Sequence, residues 1–320
     1  MSSLLTRLLP SRLPVGALDL ALRLTVKRRL ERLEDPAVFR ARLAASARLF
    51  RDPPAARYAA TMLRHAGRDL PAEWAWIDGT PEDAPVILYL HGGAYLGGSP
   101  RTHRHLAAAL AGVAGARALL PDYRLAPEHT LPACLEDARL AWNWLAKKGY
   151  PPERVALAGD SAGGGLALAL LADLTADRAH QPGGLALFSP WADLRGTAPS
   201  IARNAEHDAM LPASRLADVV RYCIGEDGDT SDWRVSPVLA RFRRPPPAII
   251  FASMAEILLD DAIAVAEVLR QAEADPELEL RARLPHAWPI FRGYLPEADE
   301  AVRRAGHFLG QHLNPDRWGP

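Results

Sequence analysis

The sequence predicts an α/β protein whose mostly parallel central sheet is covered by helices on both faces. Three observations carry this. First, short apolar runs, Val86–Leu90, Arg117–Leu120, Val155–Ala158, Leu185–Phe188 and Ala248–Phe251, read as strands buried on both faces. Second, these runs recur between longer Ala- and Leu-rich stretches. Strand alternating with helix implies parallel neighbours joined by crossovers. Third, Ser161 and His286 each fall just after a strand, as does the loop that carries Glu256. That places them together at the carboxyl edge of one sheet, where open α/β folds carry their sites.

Length and charge narrow the classes. The chain has 320 residues, 49% of them apolar, enough for one large domain with insertions or two small ones. Lys+Arg and Asp+Glu both number 38, which gives no reason to expect nucleic acid as a partner. Cys134 and Cys223 make no disulfide framework, and neither sits in a metal-ligand spacing. They read as small core residues of a cytoplasmic protein, with no metal and no cofactor expected. Arg7, Pro10, Arg12 and Pro14 interrupt any signal-peptide core. No run of 18 apolar residues occurs, so no stable membrane insertion is expected.

Along the chain, residues 1 to about 70 are helical in pattern. Leu18, Leu22, Val26, Leu30 and Leu33 recur at helical spacing with Lys27, Arg28, Arg29, Glu31 and Arg32 between them. Asp35-Pro36 ends this helix and opens a second, Ala37 to Phe50. Residues 1–72 therefore read as cap helices packed on their own domain as a lid; a basic amphipathic helix on a membrane surface is the alternative. A short strand, Trp74–Ile77, opens the core at residues 73–192. The strand Val86–Leu90 runs into His91-Gly92-Gly93-Ala94-Tyr95, a turn whose backbone can approach a ligand with its amides facing inward. A helix from about Arg101 to Ala111, a strand and a helix from about Leu131 to Lys147 follow. Residues 193–244 break the alternation, and Met210, Leu211, Tyr222 and Trp233 anchor them as an inserted cap. The core resumes over 245–320, with a helix at Asp260–Ala274, an edge strand alternating Leu278, Leu280, Ala282 and Leu284, and a last helix from Glu297 to Leu309.

The stretch that carries most is Gly159-Asp160-Ser161-Ala162-Gly163, between an apolar strand and an Ala/Leu-rich helix. G-x-S-x-G in that context puts a serine on a strained strand-to-helix turn, over the helix N-terminus. His286 is the favoured base because it follows the last strand, after a candidate acid. The acids open to it are Glu256, Asp260 and Asp261. Asp260 stands where an N-cap for the next helix is expected, so its spacing has a structural explanation. Glu256 has none and is favoured, with Asp260 as the alternative. Asp160 is read as holding loops by hydrogen bonds, His91 as orienting the Gly92-Gly93 turn, and Tyr123, Arg124 and Glu128 as a buried network bracing the site. Trp191, Trp288 and Trp233 are either pocket lining or plain core aromatics.

These residues resemble those of the bacterial hormone-sensitive-lipase-like esterases of the α/β-hydrolase superfamily. The resemblance is carried by His91-Gly92-Gly93-Ala94, Asp122-Tyr123-Arg124-Leu125-Ala126-Pro127-Glu128, Gly159–Gly165, Ser189-Pro190-Trp191, Glu256–Asp261 and His286. It spans most of residues 74 to 310, and the N-terminal 70 residues share only helical character. It implies an α/β-hydrolase fold with a helical cap, and a carboxylic-ester hydrolase that needs no cofactor. It implies Ser161 as nucleophile, His286 as base, the acid at 256, and amides of Gly92, Gly93, Ala94 and Ala162 as oxyanion donors. Tyr95, Asp160, Trp191, Met210, Leu211 and Trp288 are the pocket candidates. Three departures stand out. Ala94 replaces the family's usual third glycine, Glu256 its usual aspartate, and His286-Ala287-Trp288 its frequent His-Gly-Phe. The expected partner is a small ester, with a homodimer left open. A non-catalytic receptor, or a dehydratase or acyl-transfer enzyme, on the same scaffold is the alternative.

Overall fold

Eight strands form one sheet in the order β1-β2-β4-β3-β5-β6-β7-β8. The computed structural model describes residues 12–32, 35–176 and 181–315. The strands are β1 (Ala56–His65), β2 (Arg68–Ile77), β3 (Val86–Leu90), β4 (Arg117–Pro121), β5 (Val155–Asp160), β6 (Gly184–Phe188), β7 (Ala248–Ser253) and β8 (Glu277–Arg281). From β4 through β3 to β8 every neighbour is parallel, whereas β2 runs against both β1 and β4. Every residue of β3, β5, β6 and β7 is buried, as strands covered on both faces require.

Period-two alternation sorts the side chains into two cores. Val86, Leu88 and Leu90 of β3 point into the core that also holds residues of α4 (Ala133–Lys147), α5 (Ala162–Ala176) and α8 (Leu259–Gln271). Ile87 and Tyr89 point the other way, into a core shared with α3 (Pro100–Ala114) and α9 (Pro296–Leu313). Ser99 and Thr102 form a capping box that starts α3, and Gly115 at φ 65° ends it.

The N-terminus departs from expectation. Helix α1 runs from Val15–Leu22 through a π-type turn, Arg23–Lys27, to Arg28–Glu31, and α2 is Pro36–Ser46 with Asp35 as its N-cap. A single turn, Ala47–Leu49, ends the helical region. Residues 56–77 are a hairpin paired from Ala56↔Ile77 to His65↔Arg68, so helix to residue 70 and a cap boundary at 72 are both too late. The cause is composition: β1 is rich in Ala and Arg, good helix formers, and only Leu63 in it is fully buried. Ten paired residues override that weak preference. Leu33, from the apolar stripe, and Arg7 and Pro10 lie outside the described residues.

Between β6 and β7 the chain leaves the sheet and forms α6 (Pro199–Arg203) and α7 (Leu216–Ile224). Among the described residues no helix is long and apolar enough to cross a membrane.

Candidate active site

The serine's turn is built by steric necessity. Ser161 lies between β5 and α5 at φ 53°, a left-handed value that a non-glycine residue holds only under constraint. Its amide donates to Phe188 O at 2.9 Å and its carbonyl accepts from Trp191 N at 2.9 Å, so β6 and the loop after it clamp the turn. The flanking glycines let the helix pass against the strands. A Cβ at Gly159 would lie 2.4 Å from Gly163 O, and one at Gly163 would lie 2.1 Å from Leu90 O.

His286 follows β8 and is buried. Its Nδ1 lies 2.7 Å from Glu256 Oε2, while Ser253 N donates to Glu256 Oε1 at 3.0 Å. Burial disfavours the imidazolium, but the hydrogen bond and charge of Glu256 outweigh it and raise the His286 pKa above its ordinary value. His286 Nε2 has no hydrogen-bond partner among the described residues. Ser161 and His286 line one cavity without a hydrogen bond between them. Such contacts often tighten only with substrate bound.

Asp260 does not pair with the histidine, nor does it cap its own helix. α8 starts at Leu259 with no side-chain cap. Asp260 instead accepts from Ser200 N at 2.7 Å and pairs with Arg203 at 2.9 Å, which ties down α6. Asp261 accepts from Ala192 N and Asp193 N, both at 2.9 Å, and burial pushes its carboxyl up to about 7.

The loop after β3 also needs one correction. Gly92 N donates to Asp160 Oδ1 at 3.1 Å, so this amide is already taken and does not face the cavity as an oxyanion donor. Gly93 (φ 130°) and Ala94 (φ 56°) line the cavity, and their amides donate to no group among the described residues. Ala162 N opens α5, where the first amides lack intrahelical acceptors. The loop is braced from beneath. Asp160 accepts from Tyr89 Oη at 2.8 Å and lies 3.3 Å from His103 Nε2. Burial pushes its carboxyl up, but His103 and the hydrogen-bond donors win and hold it below the usual carboxylate range. His91 stacks on Tyr123 at 4.2 Å between ring centres, and burial lowers its pKa to about 3, so it stays neutral.

Other expected residues are spread more widely. Tyr123 Oη donates to His91 O, as a brace should. Arg124 turns to Asp137 and Glu136, and Glu128 pairs with Arg40 of α2 at an exposed position, so the three form no single buried network. The cavity, about 200 Å³, is lined by Trp191, Asp160, Met210 and Leu211 but not by Tyr95, Trp288 or Trp233. Tyr95 is buried against Trp191, and Trp288 is fully buried edge-on to Phe251 in the α3/α9 core. Helices α1 and α2 add Val26, Leu30, Phe39 and Leu43, and α7 adds Leu216, Val219 and Tyr222. Cys134 and Cys223 are free and buried, and Cys223 Sγ donates to Ala94 O at 3.3 Å. Sequence reasoning missed His103, Asn204 and Asp208. They lie far from any motif, and their polar character in a buried setting appears only in the fold.

Known proteins converge on the same description. A family model described as the alpha/beta hydrolase fold matches residues 87–290. An acetyl-hydrolase of Streptomyces hygroscopicus is 37% identical over 235 residues, 73% of this chain and 78% of that protein. An esterase of Acinetobacter venetianus is 33% identical over 223 residues, covering 70% and 74%. The crystal structure of an esterase from the bacterial hormone-sensitive lipase family superposes with a TM-score of 0.86 at 33% identity, over 95% of this chain and 99% of that one. Another esterase structure, EstE5 soaked with p-nitrophenyl butyrate, superposes with a TM-score of 0.83 at 31% identity, over 93% and 98%. A serine on a strained turn, a histidine on a buried carboxylate and this degree of likeness leave one conclusion: the chain belongs to the bacterial hormone-sensitive-lipase-like esterases of the α/β-hydrolase superfamily.

Proposed function

We propose that this ester hydrolase cleaves short- to medium-chain acyl esters through an acyl-enzyme on Ser161, with His286 as base and Glu256 as the acid that orients it. One observation carries the reading. One apolar cavity is lined by Ser161, His286, Gly93 and Ala94, and the amides of Gly93 and Ala94 are unpaired among the described residues. Ser161 Oγ attacks the ester carbonyl while His286 Nε2 takes its proton. Glu256 fixes the Nδ1 proton and stabilises the imidazolium. The amides of Gly93, Ala94 and Ala162 receive the oxyanion, and loss of one such donor costs about 2.7–4 kcal/mol of transition-state stabilisation. His286 then protonates the leaving alcohol, and water releases the acid by the same route.

Helices α1 and α2 and the α6–α7 insertion act as the cap, since both supply walls of the cavity. The test is a p-nitrophenyl ester series from acetate to palmitate on wild type and Ser161→Ala. We expect a short-chain optimum and a loss of up to about a million-fold in the variant. The EstE5 crystals were soaked with a p-nitrophenyl ester, which supports the choice of probe. Full activity in Ser161→Ala would move the nucleophile elsewhere.

A further inference from the structure

Three buried polar side chains of the inserted segment converge on the loop that carries Glu256. Ser200, Asn204 and Asp208 are spaced four apart and are 0%, 5% and 1% exposed. Ser200 Oγ donates to Ile257 O at 2.7 Å and accepts from Asp260 N at 3.1 Å. Asn204 Nδ2 donates to Met254 O at 3.0 Å and to Glu256 O at 2.8 Å. Asp208 Oδ2 accepts from Ile257 N at 3.0 Å, and its Oδ1 accepts from Met210 N and Leu211 N, both at 2.8 Å. A buried loop cannot leave its backbone groups unpaired, and here these side chains pair them on both sides of Glu256.

Helix α1 grips the same segment from outside. Lys27 Nζ donates to Ala205 O at 2.6 Å and Asp208 O at 2.8 Å, and Arg23 donates to Glu206 O and His207 O. Four consecutive carbonyls are thus held by two cations four residues apart. Those two residues bound the π-type turn of α1. The adjoining Val26 and Leu30 line the cavity. One helix therefore touches the substrate space and the clamp on the acid loop at once.

We propose that Asn204 and Asp208 are positioning residues for Glu256, and that Arg23 and Lys27 couple the seating of α1 to the alignment of the His286–Glu256 pair. The proposal rests on the reading in which Glu256 orients His286. It makes the lid and the acid one mechanical unit: substrate packed against Val26 and Leu30 stabilises the aligned pair. The charged groups acting on His286 are Glu256 from the acid loop, Asp208 from the insertion and Asp160 from β5.

The test uses the full chain, with Asp208→Asn and the double variant Arg23→Gln/Lys27→Gln. Two quantities are read: kcat and KM for p-nitrophenyl butyrate against pH, and the downfield proton resonance of the His286 Nδ1–H. Misplacement of a catalytic group costs up to about a hundredfold. We expect both variants to lose kcat toward that limit and to move the acid limb to lower pH. Their downfield resonance should weaken, with KM changing less than kcat. A rise in KM alone, with the limb and the resonance as in wild type, overturns the coupling and leaves α1 a passive wall. If Asp208→Asn does not fold, the double variant decides by the same readouts, because Arg23 and Lys27 are only part-buried. Activity that survives Ser161→Ala overturns the hydrolase mechanism instead, a result separate from any change in the clamp variants.

Discussion

His286 Nδ1 sits 2.7 Å from Glu256 Oε2, with both side chains closed off from solvent. Burial opposes the imidazolium and Glu256 favours it, and the net effect raises the His286 pKa. A general base must be neutral to accept a proton, so activity falls as pH drops through that value. The acid limb of kcat/KM should therefore lie above the ordinary histidine value of about 6.5. Glu256→Gln keeps the size but removes the charge, so burial then dominates and the limb should move to lower pH. Turnover should fall by up to about ten-thousand-fold. A limb that stays in place in Glu256→Gln would show that another group sets it.

Asp260 gives the contrasting result. Its carboxylate holds Ser200 N and the half-exposed Arg203, not the histidine. Asp260→Ala should lose about 1 kcal/mol of stability in denaturant unfolding, the net worth of a typical hydrogen bond. Turnover should stay within a few-fold of wild type. If Asp260→Ala abolishes turnover in a folded protein while Glu256→Gln stays active, the acid is misassigned.

The strand-to-helix turn at Ser161 makes a steric prediction. An alanine Cβ at 163 would meet Leu90 O at 2.1 Å and His91 O at 2.4 Å, both rigid backbone where β3 runs into the Gly92-Gly93 turn. Gly163→Ala should cost at least about 1–3 kcal/mol and most of the activity, because relief requires moving that loop. Gly164→Ala meets Pro190 Cα at 3.0 Å and should be milder in both. Equal melting temperatures for wild type and Gly163→Ala would contradict the packing argument.

Much of this site is legible in the amino-acid sequence, for a physical reason. Ser161, Glu256 and His286 each follow a strand, and a parallel sheet collects such positions at one edge. Short-range chemistry of that kind is written in the local sequence. What the sequence hides depends on partners distant in the chain. Nothing near Gly92 signals that Asp160, 68 residues away, takes its amide. Asp260 sits at a cap position in sequence, yet its partners lie on α6. Trp288 lies two residues beyond His286, but a 3₁₀ turn at Trp288–Phe291 directs its ring into the core rather than the cavity. Strand β1 escapes notice because its partner, not its composition, makes it a strand.

The final prediction concerns the N-terminal helices. Phe39 and Leu43 of α2 line the cavity, and a Cβ at Gly97 would meet the Phe39 ring at 2.9 Å. Arg40 fastens α2 to the loop after β3: its Nε donates to Leu96 O at 2.6 Å and its guanidinium pairs with Glu128. Helix α2 therefore limits the space beside Gly93 and Ala94. Phe39→Ala should open that space to a longer chain. Each extra methylene buried there is worth about 0.8 kcal/mol, or about fourfold in kcat/KM. The ratio of kcat/KM for hexanoate over acetate p-nitrophenyl esters should rise by at least that factor. Deleting residues 1–50 should do more: it bares the apolar walls, so aggregation and a broadened chain-length profile are expected together. A soluble truncation whose profile matches wild type would show that the lid plays no part in choosing the substrate.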